Sequence, residues 1–366
     1  MNQKKIKSIK RLTRAGSGGY SVYLPKKWIR NWNDDHEMPK EIKMFNVGDY
    51  LILAPHSIRR RIEVNVDNMG SRELREFILS SYINGADDFV LQSSFLSDAS
   101  IGESLSIIRA LDENLVHFSS ETGNSYSTRT SFSHETGVLM RLLFEKINEA
   151  GLLLSDLLRN FDINPEKGLH ILRLLYSLEE EDIDRIAFQI MRNASKFDIE
   201  LETTTEINLL WALADNLEKI GDTFYSIIGL VCDFFGLEIE ELRYPVEYIQ
   251  QHIESKNFAL SESVKHLKES MFEHIRHFQF SLGHIRDAML AKDGKAALKC
   301  ADALTRYISQ AEREYWENLA EIIKPMAVHE RMSFIFCNEL ALRIWTLLSL
   351  LEGMAKRIAL VYFSYK

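Results

Sequence analysis

The chain has 366 residues, 46% of them hydrophobic, with 17 glycines and 6 prolines. That length allows two or three domains, and the composition excludes a disordered chain in favour of a globular, helix-rich one. Its three cysteines, Cys232, Cys300 and Cys337, show no C-x-x-C spacing; this argues against a thiolate zinc site and a disulfide framework and suits a reducing cytosol.

The net charge of −9 is unevenly spread. Residues 1–63 hold 14 Lys and Arg against 6 Asp and Glu, a balance of +8, and the remainder holds 30 against 47, or −17. A basic head on an acidic body predicts two partners of opposite sign, a polyanion and a cation; short basic strands with solvated edges would give the same count. No apolar stretch backs the opening MNQKKIKSIK, so no signal peptide is expected. No uninterrupted apolar run reaches about 18 residues, the nearest being FYSIIGLVCDFFGL, broken by Asp233. A cytoplasmic protein without membrane insertion is expected.

Residues 1–65 read as a small β domain. IKSIKRL and GGYSVYLP alternate around the turn AGSGG; PKKWIRNW reads as a short helix with Pro25 at its first position. After the polar stretch NDDHEMPKEIK come two more strands, VGDYLILAP and IRRRIEV. So small a core predicts a homodimer formed by strand exchange. GSGG lacks the G-K-[ST] of a phosphate loop and precedes a strand, so it reads as a turn.

Residues 66–131 read as a connecting α/β module: a helix over SRELREFILSSYINGA, a strand at DDFVLQS, a helix at ASIGESLSIIRAL, and a strand pair from ENLVHFSS and NSYSTRTSF. Beyond residue 132 apolar stripes recur at helical spacing. Breaks near 162–168, 235–245, 291–295 and 323–328 divide this region into two similar helical sets, 132–245 and 246–366. Leu217-Glu218 recurs as Leu351-Glu352, 134 residues later, which predicts a duplication. The fold class expected is mainly α, with a β head and a small α/β connector before two tandem helical bundles.

In LADNLEKIGD, Glu218 and Asp222 stand four apart on the shoulder of a stripe formed by Leu213, Leu217, Ile220, Phe224 and Ile227. In SLEEEDIDRI, Glu180 and Asp184 repeat that spacing. Like charges four apart destabilise a helix by a few tenths of a kcal/mol. Two such pairs on neighbouring helices would form an oxygen-rich cage for a hard or borderline cation. A solvated face neutralised by Lys219 and Arg185 is the other reading. His274, His277 and His284 lie on one helix face but match no Glu-x-x-His pattern, and read as partly exposed helix histidines. With no HExxH, no G-x-S-x-G and no nucleophile–base pattern, no catalytic residue and no enzymatic activity is expected.

LADNLEKIGDTFYSIIG resembles the signature helix of the PhoU family of phosphate-uptake regulators, and LEEEDIDRI resembles that family's E-x-x-x-D-R helix. The resemblance implies two tandem three-helix bundles and a multinuclear iron or zinc cluster, with Mg or Mn as other candidates. Its implied ligands are Glu180, Asp184, Glu218 and Asp222, with Glu181 an additional candidate. The second copy departs from the pattern: Lys356 stands four residues after Glu352, and Ile308 takes the first ligand slot four residues before Glu312. One site is therefore expected, in the first bundle, with Lys356 supplying the missing positive charge in the second.

RLTRAGSGGYSVYLPKKW and VGDYLILAP resemble the AbrB/MazE/SpoVT swapped-hairpin domain, with a longer polar insertion around residues 33–44. That resemblance implies DNA binding by an intertwined dimer through Lys10, Arg11, Arg14, Lys26, Lys27 and Arg30. Phosphate contacts of that kind would make affinity fall steeply with salt. Together the two resemblances imply an archaeal-type PhoU-related, DNA-binding regulator of phosphate uptake. Two alternatives are a signalling adaptor contacting a phosphate transporter ATPase or sensor kinase, with a head that only dimerises, and a metal-dependent enzyme built on the acidic cage.

Overall fold

The computed structural model describes residues 13–15, 19–21, 23–24, 42–47, 50–55, 61–92, 115–120, 123–128, 136–160, 163–196, 204–244, 262–323 and 331–363. Most of these residues are helical. The chain divides into two compact units, Met1–Arg60 and Arg61–Lys366.

In the first unit β1 (Thr13–Ala15) pairs antiparallel with β2 (Gly19–Ser21), placing Arg14 opposite Tyr20. β3 (Ile42–Val47) pairs antiparallel with β4 (Tyr50–Pro55), with Val47 opposite Tyr50. The sequence reading took VGDYLILAP as one strand. Instead Val47 ends β3 and Tyr50 opens β4, because IKMFNV carries its own run of strand-forming residues and the Gly-Asp between interrupts both. The short helix expected at PKKWIRNW lies outside the described residues.

The second unit begins at β5 (Arg61–Asn65), a strand the sequence reading grouped with the head. It runs parallel to β6 (Asp88–Gln92), with α1 (Ser71–Ile83) as the crossover. β7 (Leu115–Ser120) and β8 (Gly123–Thr128) complete a four-stranded sheet of order β5-β6-β8-β7, in which β8 is antiparallel to both neighbours. Pairing with β6 rather than with the head follows from burial, since Val66, Leu74, Ile78, Tyr82, Phe89 and Leu91 close one core around β5, α1 and β6. The helix expected at ASIGESLSIIRAL lies outside the described residues.

The rest is helical. α2 (Thr136–Asn160) precedes α3 (Pro165–Ser177), which starts where Asn164 Oδ1 accepts from Lys167 N at 3.1 Å and Pro165 needs no donor. α3 runs through a π-helical turn, Leu178–Ile183, into α4 (Asp184–Ser195). α5 (Thr204–Phe235) follows, then a 3-10 turn at Ile239–Arg243, and then α6 (Glu262–Leu290), α7 (Gly294–Ile323) and α8 (Arg331–Phe363). α2 packs on α3, α4 and α5, and α6, α7 and α8 pack on one another. The two sets meet where α5 touches α8 and α2 touches α6. Phe224 of α5 and Phe278 of α6, both fully buried, meet edge to face at 5.9 Å. By length and composition the stretch Phe334–Phe363 could cross a membrane, and half of its most apolar window is buried inside the protein.

The α/β sheet is fastened to α4 by a buried ion pair. Arg192 donates to Asp87 at 2.8 Å and to the carbonyls of Tyr82 and Ala86 at 2.8 and 2.6 Å, with its guanidinium 4.3 Å from the Tyr82 ring centre. Lys196 adds a second bond to the same Asp87 oxygen at 2.5 Å. α4 thus carries Asp184 at its first turn and a docking cation, Arg192, at its last.

Candidate carboxylate site between the π turn and α5

An α-helix returns to the same face every 3.6 residues, which on the sequence would stack Glu180 over Asp184. The π turn adds a residue to that repeat. The N–H of Asp184 donates to the carbonyl of Glu179, five residues back, and Glu179 becomes the inner residue. Glu179 is only 3% exposed. Glu180 is turned to the rim, where Arg243 Nη2 lies 3.4 Å from its Oε2. Sequence reasoning missed Glu179. Its one signal was the unbroken run Glu179-Glu180-Glu181-Asp182, in which a slip of one position leaves a carboxylate at the ligand slot. Glu181, the additional candidate, is exposed.

Gly221 sets the distance between the two ligand-bearing helices. A Cβ there would sit 2.8 Å from Ile183 Cγ2 and 3.9 Å from Glu179 Cγ. Only glycine lets the π turn lie this close to α5. Glu218 and Asp222, three before and one after Gly221, flank the contact.

Lys219 and Arg185, which the alternative reading had neutralise this face, make their ion pairs with other acids, although the charge of Lys219 still lowers Glu218 and Asp222. Lys219 pairs with Asp215 at 2.7 Å, Arg185 with Asp182 at 3.0 Å, and Lys146 also with Asp182 at 2.9 Å. Among the described residues Glu179, Asp184, Glu218 and Asp222 make no ion pair, and Asp184 Oδ1 is buried without a hydrogen-bond partner. The carboxyls therefore hold their protons well above the usual range. Burial first, then the charges of Asp184, Glu180, Asp222 and Glu218, push Glu179 up to about 9. Burial, Asp222 and Asp184 push Glu218 to about 8. Burial, Asp222 and Glu180 push Asp184 to about 7, against the pull of Arg75 on α1. Asp222 is raised too, chiefly by burial.

The side chains sense one another's charge without converging. Among the described residues no three His, Cys, Asp or Glu groups stand close enough to hold a metal ion as placed. The donor chemistry nevertheless suits a hard cation: carboxylate oxygens only, no ion pair among the described residues, and one buried oxygen without a donor. Holding one would require these carboxyls to move closer together. Beside Asp222 a cavity of about 350 Å³ opens between α5 and α8, lined by Thr223, Ser226, Glu339, Leu342, Arg343 and Thr346.

The second helical set handles the equivalent position differently. Lys356 donates to Glu352 at 2.7 Å, and Thr305 of α7 donates to the same oxygen. Burial raises the Glu352 carboxyl, but the bonds from Lys356 and Thr305 outweigh it and hold the group below its ordinary value. α7 has no π turn, and Ile308 packs against the core where an acid would be needed, while Glu312 is exposed. His274 is buried and bonded through Nδ1 to the Tyr307 hydroxyl at 2.8 Å and through Nε2 to Ser270 at 3.2 Å; His277 stacks on the Tyr307 ring at 3.6 Å, and His284 is exposed. Of the three, His274 departs from the partly exposed helix histidine expected.

For the nucleic-acid residues, Lys10, Arg11, Lys26, Lys27 and Arg30 lie outside the described residues, and Arg14 is described only as a backbone position in β1. No protein-family model, curated protein or solved structure matches the chain.

Proposed function

We propose that the chain is a cation-responsive, DNA-binding regulator of phosphate uptake, with an AbrB-like swapped-hairpin head on a body of two tandem PhoU-like three-helix bundles. The observation that carries this reading is the uncompensated carboxylate cluster at the contact between the π turn and α5. Glu179, Asp184, Glu218 and Asp222 would hold a divalent cation or a small iron or zinc cluster, with Glu180 at the rim. Metal coordination offsets like-charge repulsion and the burial of carboxylates. Bound there, a cation would join α4 to α5, and α4 is the helix to which Asp87 of the α/β sheet is docked through Arg192. Cation occupancy therefore has a rigid route to the sheet that follows the head in sequence.

The polyanion partner is supported by the +8 balance of residues 1–63. Lys10, Arg11, Arg14, Lys26, Lys27 and Arg30 would supply phosphate contacts, in a dimer made by strand exchange. The second reading is an adaptor that contacts a phosphate transporter or sensor kinase, with the head serving for dimerisation alone. Genome-wide mapping of DNA occupancy, with and without phosphate in the medium, separates them. The regulator should occupy discrete sites whose occupancy changes with phosphate. Absence of any specific site would leave the adaptor.

A further inference from the structure

The link between α5 and α6 is built to hold one side chain in place. Gly236 takes φ 70°, a left-handed conformation that glycine adopts without strain, and Leu237 N donates back to Cys232 O at 2.9 Å. Glu238 N donates to Glu241 Oε2 at 2.8 Å, which closes the 3-10 turn, and Leu242 is fully buried. The chain is thereby pinned up to Arg243, and just after it Tyr244 N donates to Glu241 O at 2.9 Å. Arg243 Nε donates to the Tyr176 hydroxyl at 2.8 Å, and its Nη2 lies 3.4 Å from Glu180 Oε2. Tyr176 sits on α3 just before the π turn, and its ring lies 6.1 Å from that of Tyr225 on α5.

Glu180 thus has a cation from outside the cluster, as Asp182 of the same turn has in Arg185 and Lys146. Its neighbour Glu179 is 3% exposed, and its carboxyl group makes no hydrogen bond among the described residues. The two adjacent glutamates are treated oppositely, one sealed in without a counter-charge and the other held out by a guanidinium.

We propose that Arg243 is a positioning residue that holds Glu180 off the carboxylate cluster, and that Glu180 moves from Arg243 to a divalent cation when one is held by Glu179, Asp184, Glu218 and Asp222. The strap would weaken cation binding, keep the cation exchangeable, and tie the position of the α5–α6 link to occupancy. This rests on the carboxylate reading above. An ion pair this exposed, with side chains 62% and 39% accessible, is worth up to about 1 kcal/mol. Releasing it therefore predicts a gain in affinity of up to about fivefold.

The test uses the full chain and Mn²⁺ alone, with free Mn²⁺ followed by electron paramagnetic resonance. Arg243→Ala is expected to bind Mn²⁺ about two- to fivefold more tightly than the wild type. In a Glu180→Gln background the same substitution should leave affinity unchanged. Thermal denaturation in EDTA checks that both variants are folded, and Tyr176→Phe, which loosens the strap without removing the guanidinium, should shift affinity in the same direction by less. Equal Mn²⁺ affinity in wild type and Arg243→Ala, or an identical shift in the Glu180→Gln background, overturns the proposal while leaving the carboxylate site standing. No Mn²⁺ uptake by the wild type overturns the carboxylate reading instead.

Discussion

Asp184 N–H bonds to the carbonyl of Glu179 rather than to that of Glu180, and this one displaced hydrogen bond decides which carboxylate faces α5. π turns of this kind cost helical regularity and occur often at functional sites. Glu179→Gln keeps the volume and removes a titratable carboxyl that is buried without a partner. In EDTA at pH 7 to 8 this variant should be more stable than the wild type by on the order of 2 kcal/mol, because the Glu179 carboxyl, held near 9, must otherwise keep a proton that the unfolded chain would release. Chemical denaturation checks it; a loss of stability would mean that the Glu179 carboxylate is satisfied.

The stability of the metal-free protein should fall as pH rises above about 4, because three raised carboxyls outweigh one lowered histidine. Glu179, Glu218 and Asp184 have folded values of about 9, 8 and 7, above those of the unfolded chain. Their contribution is complete below about pH 4 and is lost as pH rises through 7 to 9, at up to about 1.4 kcal/mol per pH unit for each carboxyl. His274 acts in the opposite sense. Burial first, and then the charge of His277, lower it to about 4, so its contribution is present above about pH 6.5 and is lost as pH falls through 4. Denaturation midpoints measured from pH 4 to 9 in EDTA test this, and His274→Phe should steepen the fall between about pH 4 and 6.5, where the histidine opposes it; stability that rises with pH over the range would contradict it.

Gly221→Ala places a methyl group 2.8 Å from Ile183 Cγ2, in contact between two packed helices. It should cost about 1 to 3 kcal/mol through overpacking and weaken cation uptake by moving the π turn away from α5. Ile183→Ala in the same chain, which removes the Cγ2 that the new methyl would meet, should restore part of the cation uptake while adding its own cavity cost. A Gly221→Ala variant of unchanged stability would show that the close approach is not required.

Much of the helical body was legible because its core stripes are regular: Leu213, Leu217, Ile220, Phe224 and Ile227 are all buried in α5, on the face that the 100° repeat assigns them. The π turn was not legible. Periodicity assumes an unbroken repeat, and in a run of four acids a shift by one residue changes no residue type. Nor does sequence proximity give the ion pairs: Lys219 is next to Glu218 in sequence, but at i,i+4 its ammonium pairs with Asp215. β5 was misplaced because IRRRIEV carries the charge of the head, whereas its pairing with β6 depends on the buried core that follows it.

Arg192→Met should separate the α/β sheet from α4. The change leaves Asp87, 2% exposed, with fewer donors in a buried site, and breaking a buried pair in this way costs about 3 to 5 kcal/mol. Hydrogen exchange should show faster opening of β5 and β6 with little change in α6 and α8. Uniform destabilisation of the whole body would argue that the sheet is not separately docked.

The central claim is that Glu179, Asp184, Glu218 and Asp222 form a cation site. Elemental analysis of the purified full chain beside a Glu218→Ala, Asp222→Ala variant tests it most directly. The account predicts a stoichiometric divalent metal in the wild type and its loss from the variant; equal metal content in the two would contradict it.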